Sequence, residues 1–396
     1  MTWVLAGSLA VSTVGCQRSS AGSPLVSAPA AIQQTVRLGP STSYPTGPEL
    51  QAVAIADLNG DGVLDLASAN YGAKTISVLL GAGDGTFEPK VDQPAGIPHP
   101  QAIASSDLNG DGSVDLVLVN GSRADGVAVL INHADATFTS RVYAGGHDAQ
   151  TVIATDLNGD GVPDIVTANG VGGVTVLLGR GDGSLAKPVD ISTDSALCSG
   201  VTAADVNGDG TIDLITANSL LGHGASDQSV SVLLGNGDGT FQPATVYDSV
   251  GTQPTMIVTA DLNADGKLDL VTPNGAPSTD VSVLLGRGDG TFRTPTRVEV
   301  GNNPHSVVAV DVSGDGIPDL VTGDLGTSFD YHYPENQGLT VRLGVGDGTF
   351  GPKIPIENAF PTSLEAADLN GDGRIDLIVP NELNNSVAIL LNRTSN

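Results

Sequence analysis

DLNGDGVLD opens at Asp57, and close variants open at Asp107 (DLNGDGSVD), Asp156 (DLNGDGVPD), Asp205 (DVNGDGTID), Asp261 (DLNADGKLD), Asp311 (DVSGDGIPD) and Asp368 (DLNGDGRID). Successive starts lie 50, 49, 49, 56, 50 and 57 residues apart. A period near fifty is too long for a solenoid turn and suits a four-stranded propeller blade, so seven motifs predict seven blades.

The sequence around the first motif fills in one blade: QAVAIAD (51–57), the aspartate loop, LDLASAN (64–70), TISVLLG (75–81), a glycine turn and TFEPKVD (86–92). Runs of Val, Ile, Leu and Ala broken by Gly, Asn and Asp mark strands, and helical periodicity is nowhere sustained. The expected fold is therefore all-β: a seven-bladed β-propeller of four-stranded antiparallel blades. The C-terminal NSVAILLN (385–392) aligns with third strands, while TVRLG (35–39) lies where a fourth strand belongs. The N-terminal strand is expected to complete the last blade and close the ring, tying both termini into one sheet. Residues 33–38 are the expected closing segment.

Each loop reads D-x-N-x-D-G-x-x-D, with side-chain oxygens at positions 1, 3, 5 and 9. Calcium, a hard cation, takes six to eight oxygen ligands, and alternating carboxylates and amides around a glycine turn supply them. The candidate ligands are Asp57, Asn59, Asp61 and Asp65; Asp107, Asn109, Asp111 and Asp115; Asp156, Asn158, Asp160 and Asp164; Asp205, Asn207, Asp209 and Asp213. The last three loops offer Asp261, Asn263, Asp265 and Asp269; Asp311, Ser313, Asp315 and Asp319; Asp368, Asn370, Asp372 and Asp376. Position 7 adds a backbone carbonyl, from Val63, Ser113, Val162, Thr211, Lys267, Ile317 and Arg374, so its side chain is expected not to matter. Up to seven structural Ca²⁺ ions are expected. Ser313 in place of Asn, and Ala264 and Lys267 around an intact ligand set, mark blades 6 and 5 as the expected weakest sites.

The chain carries 16 Lys and Arg against 44 Asp and Glu, a formal net charge of -28. With three carboxylates in each of seven loops, most of this acidity is metal chemistry. The same charge repels phosphate backbones, so nucleic acid is excluded as a partner.

With these loops and the glycine turns GAGDGTF (81–87), GRGDGSL (179–185), GNGDGTF (235–241), GRGDGTF (286–292) and GVGDGTF (344–350), the chain resembles the FG-GAP, or VCBS, repeat family, which includes the propeller of integrin α subunits. The resemblance covers nearly everything after residue 33. It lapses at NHADATF (132–138), where the glycines are lost, and in blade 7, where the chain ends before its turn. It implies a structural calcium in each blade and a binding or adhesion role.

The N-terminal MTWVLAGSLAVSTVGC (1–16) reads as a secretory signal, and its ending resembles a bacterial lipobox that would be lipidated at Cys16. Residues 17–32, rich in Ser, Ala, Gly and Pro, read as a tether, and 33–396 as a single propeller domain. The protein is thus expected to be exported, either secreted or held in the cell envelope by that lipid, its only membrane contact.

Loops joining strands 2-3 and 4-1 share the face opposite the aspartate loops. Blades 4 and 6 carry inserts there, NSLLGHGASDQS (218–229) and GDLGTSFDYHYPENQG (323–338). Phe329, Tyr331, His332 and Tyr333 form an unusual aromatic cluster in a chain with 4% aromatics and are the candidate ligand face for a polysaccharide or protein partner. His99, His147 and His305 fall in 4-1 loops at unequal offsets and are read as ordinary loop histidines. Cys198, with no His and Asn pattern around it, is a bystander. The two Arg-Gly-Asp tripeptides (180–182, 287–289) follow from the glycine turn whenever its variable residue is Arg. A monomeric, non-enzymatic binding module is the leading expectation; a calcium-dependent, lyase-like polysaccharide enzyme and a purely structural surface protein are the alternatives.

Overall fold

The computed structural model describes residues 36–121, 125–195, 197–219, 228–248, 250–326, 337–357, 361 and 363–394. These form seven four-stranded antiparallel sheets. Blade 1 runs Leu50–Ala56, Asp65–Asn70, Thr75–Leu79 and Val91–Pro94, from the inside of the ring outwards. Blades 2 to 6 repeat that order along the chain. The second strands, such as Asp115–Asn120 and Asp164–Asn169, are buried at every residue, as sheets covered on both faces require. Fourth strands form the rim and are largely exposed, leaving Val91, Val142 and Val189 in solvent.

Strand alternation places side chains of each first strand on opposite neighbours. Ala54, Val258 and Val308 pack with Ile103, Val307 and Leu364 of the following blades. Polar groups at the start of the first strands add hydrogen bonds between blades. Thr151 Oγ1 donates to Ser199 O (3.1 Å), Ser199 Oγ to Pro254 O (2.7 Å) and Thr255 Oγ1 to His305 O (2.8 Å).

A buried polar ladder ties strands within the blades. In blade 1 Ser68 Oγ donates to Asn70 Oδ1 (3.0 Å), Asn70 Nδ2 to Ser77 Oγ (2.8 Å) and Ser77 Oγ to Asp92 (2.6 Å). Blade 3 repeats it through Thr167, Asn169, Thr175 and Asp190. In blade 6 the carboxylate has moved to the asparagine's place. Asp324 accepts from Thr322 (2.9 Å) and Thr340 (2.6 Å), and burial pushes its carboxyl up to about 7.

The last blade consists of Glu365–Ala367, Asp376–Asn381 and Ser386–Leu390, completed by Thr42–Pro45 from the other end of the chain. Closure by an N-terminal strand is as expected, but the strand itself lies past the TVRLG segment. Residues 37–39 do a separate job. Leu38 bridges Asn392, Gly39 N donates to Leu391 O (2.7 Å) and Arg393 N to Arg37 O (2.6 Å). In blade 1 the corresponding bridge is Gly81 to Phe87, so Leu38 stands where a glycine turn's Phe would. The N-terminal segment thereby replaces both the turn and the strand missing from blade 7.

Starting the chain after Pro45 should leave one sheet three-stranded and its edge unpaired. Calorimetry is expected to show a melting temperature lower by ten degrees or more than that of the intact chain; an unchanged melt would show that closure contributes little.

Candidate metal centres in the aspartate loops

The seven loops share one backbone solution. In blade 1 Asp57 Oδ1 accepts Gly60 N (2.7 Å) and Asp61 N (3.1 Å), and its Oδ2 accepts Gly62 N (2.8 Å). Asn59 Oδ1 accepts Asp61 N (2.9 Å), and Asp61 Oδ1 accepts Val63 N (2.8 Å). Gly60 and Gly62 sit at φ 76° and 85°, where a Cβ is disfavoured.

The aspartate at position 9 does something its place in the motif did not reveal. Asp65 is fully buried, and its two oxygens accept Leu58 N (2.9 Å) from the aspartate loop and Gly81 N (2.8 Å) from the glycine turn. The same two-ended brace recurs at Asp115, Asp164, Asp213, Asp269, Asp319 and Asp376. Burial, then the charges of Asp61 and Asp57, push Asp65 above the ordinary carboxylate range despite those bonds. Asp319, the most deeply enclosed, is pushed up to about 6.

From the braces of blades 3, 5 and 6 the glycine turn reaches back to the preceding blade. Gly183 N donates to Leu108 O (3.2 Å), Gly290 N to Val206 O (3.3 Å) and Gly348 N to Leu262 O (3.2 Å). The approach is close: a Cβ on Gly183 would lie 2.5 Å from Ile131, and one on Gly81 2.2 Å from Leu64 O.

Blade 2 keeps this turn although its glycines are gone, so the break expected at NHADATF is one of sequence only. Ala134 and Ala136 adopt φ 62° and 60°, and Ala136 N still donates to Leu58 O of blade 1 (3.1 Å). Asn132 occupies the position of Gly81 and turns its amide on Leu58 O (2.8 Å) and Val114 O (2.9 Å). Asn392 in blade 7 likewise donates to Val312 O of blade 6 (2.8 Å). That both Asn residues align with Gly81 was the available sequence signal.

Position 7 also departs from expectation, because its side chains are not idle. Those of Val63, Val162, Lys267 and Ile317 lie over turn glycines, within 2.7–2.9 Å of where a Cβ would be. Arg374 pairs with Asp372 (2.7 Å) and donates to Asn392 O (3.1 Å). Ser313 is buried, with its hydroxyl on Asp311 (3.2 Å) and its N–H on Asp319 (3.0 Å).

Among the described residues, His, Cys, Asp and Glu side chains form no group of three or more arranged as a metal cage. The carboxylates instead cap loop N–H groups. The donor set still fits a hard divalent cation: it is all oxygen, it holds three carboxylates of which two, Asp61 and Asp57 in blade 1, add to the effect of burial in raising the proton affinity of the third, and each carboxylate oxygen can accept more than one partner.

Elsewhere, Cys198 is buried with its thiol on Gly200 O (3.3 Å), and burial pushes it up to about 12, which leaves no thiolate to react. His147 lies between Asp125 (3.0 Å) and Asp190 (3.5 Å), which raise its affinity for a proton. Phe329, Tyr331, His332, Tyr333, Cys16, the signal and the tether fall outside the described residues.

The FG-GAP-like repeat profile matches residues 57–118, 107–167, 156–216, 220–272 and 274–322. An EF hand profile matches residues 362–378, the blade 7 loop. No curated protein matches the chain. Similar solved structures include BBS1N in complex with ARL6DN from crystals soaked with lead, with a TM-score of 0.60 and 12% identity over 92% of this chain and 99% of that one. A mercury-soaked crystal of that complex gives a TM-score of 0.59 and 13% identity over 91% and 98%. At such identities the likeness is one of fold.

Ala264, at position 4 of the blade 5 loop, has φ 56° where the equivalent Gly60 has open space around it. Ala264→Gly and Ala134→Gly are each expected to stabilise the protein, by about 1 kcal/mol through relief of left-handed strain. Denaturant midpoints that fall instead would show that the alanine methyls contribute more than the strain costs.

Proposed function

Because the chain belongs to the FG-GAP-like repeat family, we propose that it is a calcium-loaded propeller, exported to the envelope or beyond, that binds a protein partner and catalyses no reaction. The observation that carries this reading is the sevenfold aspartate loop, whose buried position-9 carboxylates repel their neighbours unless a cation is present. Positions 1, 3, 5 and 9, with the carbonyl of position 7, would hold the ion, and Ca²⁺ would supply charge neutralisation and rigidity. The EF hand match over the blade 7 loop supports calcium as the ion.

Calcium is abundant outside the cell, which agrees with the signal-like N-terminus and a lipid on Cys16. At a free concentration ten times the dissociation constant each site would add roughly 1.4 kcal/mol of stability. Ser313, with its hydroxyl already turned to Asp311, and Arg374, paired with Asp372, mark blades 6 and 7 as the weaker sites. Blade 5 keeps its full ligand set, with Ala264 strained at φ 56° beside it.

The choice of a protein over a polysaccharide rests on the propeller of BBS1N, which is bound to a protein. Binding rather than catalysis follows from the engagement of the loop aspartates with backbone N–H groups and the burial of Cys198.

Native mass spectrometry should count up to seven calcium ions, and chelation should lower the melting temperature by tens of degrees. An unchanged count and melt in chelator would overturn the calcium reading. Calcium-dependent binding on a glycan array would replace the protein partner with a polysaccharide.

A further inference from the structure

In six blades the third residue before the aspartate loop, on the innermost strand, is Ala54, Ala104, Ile153, Thr202, Val258 or Val308. In the last blade it is Glu365. The register is the same, with Glu365 opposite Ile378 as Ala54 is opposite Ala67. Side chains in this row face the next blade, so Glu365 is turned toward blade 1, at the joint where the two ends of the chain meet.

The core of that joint is apolar: Leu50, Val53 and Leu66 of blade 1 pack on Leu369, Ile378 and Ile389 of blade 7. Glu365 is 4% exposed, and its Oε1 has no hydrogen-bond partner. Two residues earlier in the same row, the hydroxyl of Ser363 is also buried without one. A buried polar atom left unpaired is costly, and an ionised carboxylate there costs far more.

We propose that the joint between the last and first blades is a pH-sensitive seam: Glu365 seals it while protonated and, on losing its proton, draws water in and loosens it.

Among the described residues, no Lys or Arg stands on the strands around Glu365. The facing strand Leu50–Ala56 has no ionisable residue, the adjacent strand Asp376–Asn381 has only Asp376 at its far end, and Pro304–Val310 of blade 6 has His305 at its start. The loops add Glu49 and Glu382, both acidic, with Glu382 bound to Gln51 (3.2 Å). Burial raises the proton affinity of Glu365 well above that of an ordinary carboxylate. The closed seam therefore binds a proton that the opened seam releases. Its stability is greatest below the ordinary carboxylate range and falls as pH rises above it.

Hydrogen exchange of the calcium-saturated protein at pH 5 and pH 8, corrected for intrinsic rates, tests this. Amides of Leu50–Ala56 and Glu365–Ala367 are expected to open at least tenfold more often at pH 8. Those of Ala149–Thr155 and Cys198–Ala204, at the joint of blades 3 and 4, should not change. Glu365→Gln and Glu365→Val should remove the difference. An equal response at both joints, or a pH effect that survives either substitution, would overturn the proposal; if the variants do not fold, the comparison of joints in the natural chain decides.

Discussion

The ring depends on a carboxylate that touches two loops at once. Asp65 and its six counterparts each hold the aspartate loop by one oxygen and the glycine turn, or the segment standing in its place, by the other, fixing the two loops at one end of a blade to each other. A buried charge accepting only backbone N–H groups is expensive unless both bonds form together, so each brace favours a single arrangement of loop and turn. In blades 2, 3, 5 and 6 the fixed turn's own N–H reaches the loop carbonyl of the blade before it. There braces and turns alternate, and the blades are linked in series rather than merely packed side by side.

The same arrangement explains which substitutions the repeat tolerates. Gly81 has a carbonyl where its Cβ would go, and only a residue able to hydrogen-bond in that place can replace it, as Asn132 does. Ala134 and Ala136 keep the left-handed backbone at a cost because the link to blade 1 is retained. The buried ladder shows a like substitution, with Asp324 accepting from the threonines that elsewhere serve an asparagine. Function and fold are thus drawn from one set of residues: the aspartates proposed to hold calcium also hold the backbone that presents them.

Much was legible from spacing alone. Seven motifs at a near-constant interval specify seven blades because each blade is a local unit whose strands pair with their sequence neighbours. The oxygen pattern at positions 1, 3, 5 and 9 is local as well, and it indicates a cation site without reference to the rest of the chain. The roles of the Val63 and Ile317 side chains were not legible, since what they touch lies in the glycine turn rather than along the motif.

By itself, then, the sequence determined blade number, strand order, the oxygen-rich loops and the need for an N-terminal strand, all properties of short segments repeated in register. Only the tertiary structure decided that Thr42–Pro45 is that strand while Leu38 fills in for a missing turn. It alone decided that position 9 is a brace, and that Glu365 falls in an apolar joint between the chain's two ends. The reason is physical: a repeat shows which residue types recur within one period but not which backbone groups a buried side chain turns to, and contacts between residues more than three hundred positions apart exist only once the ring has closed.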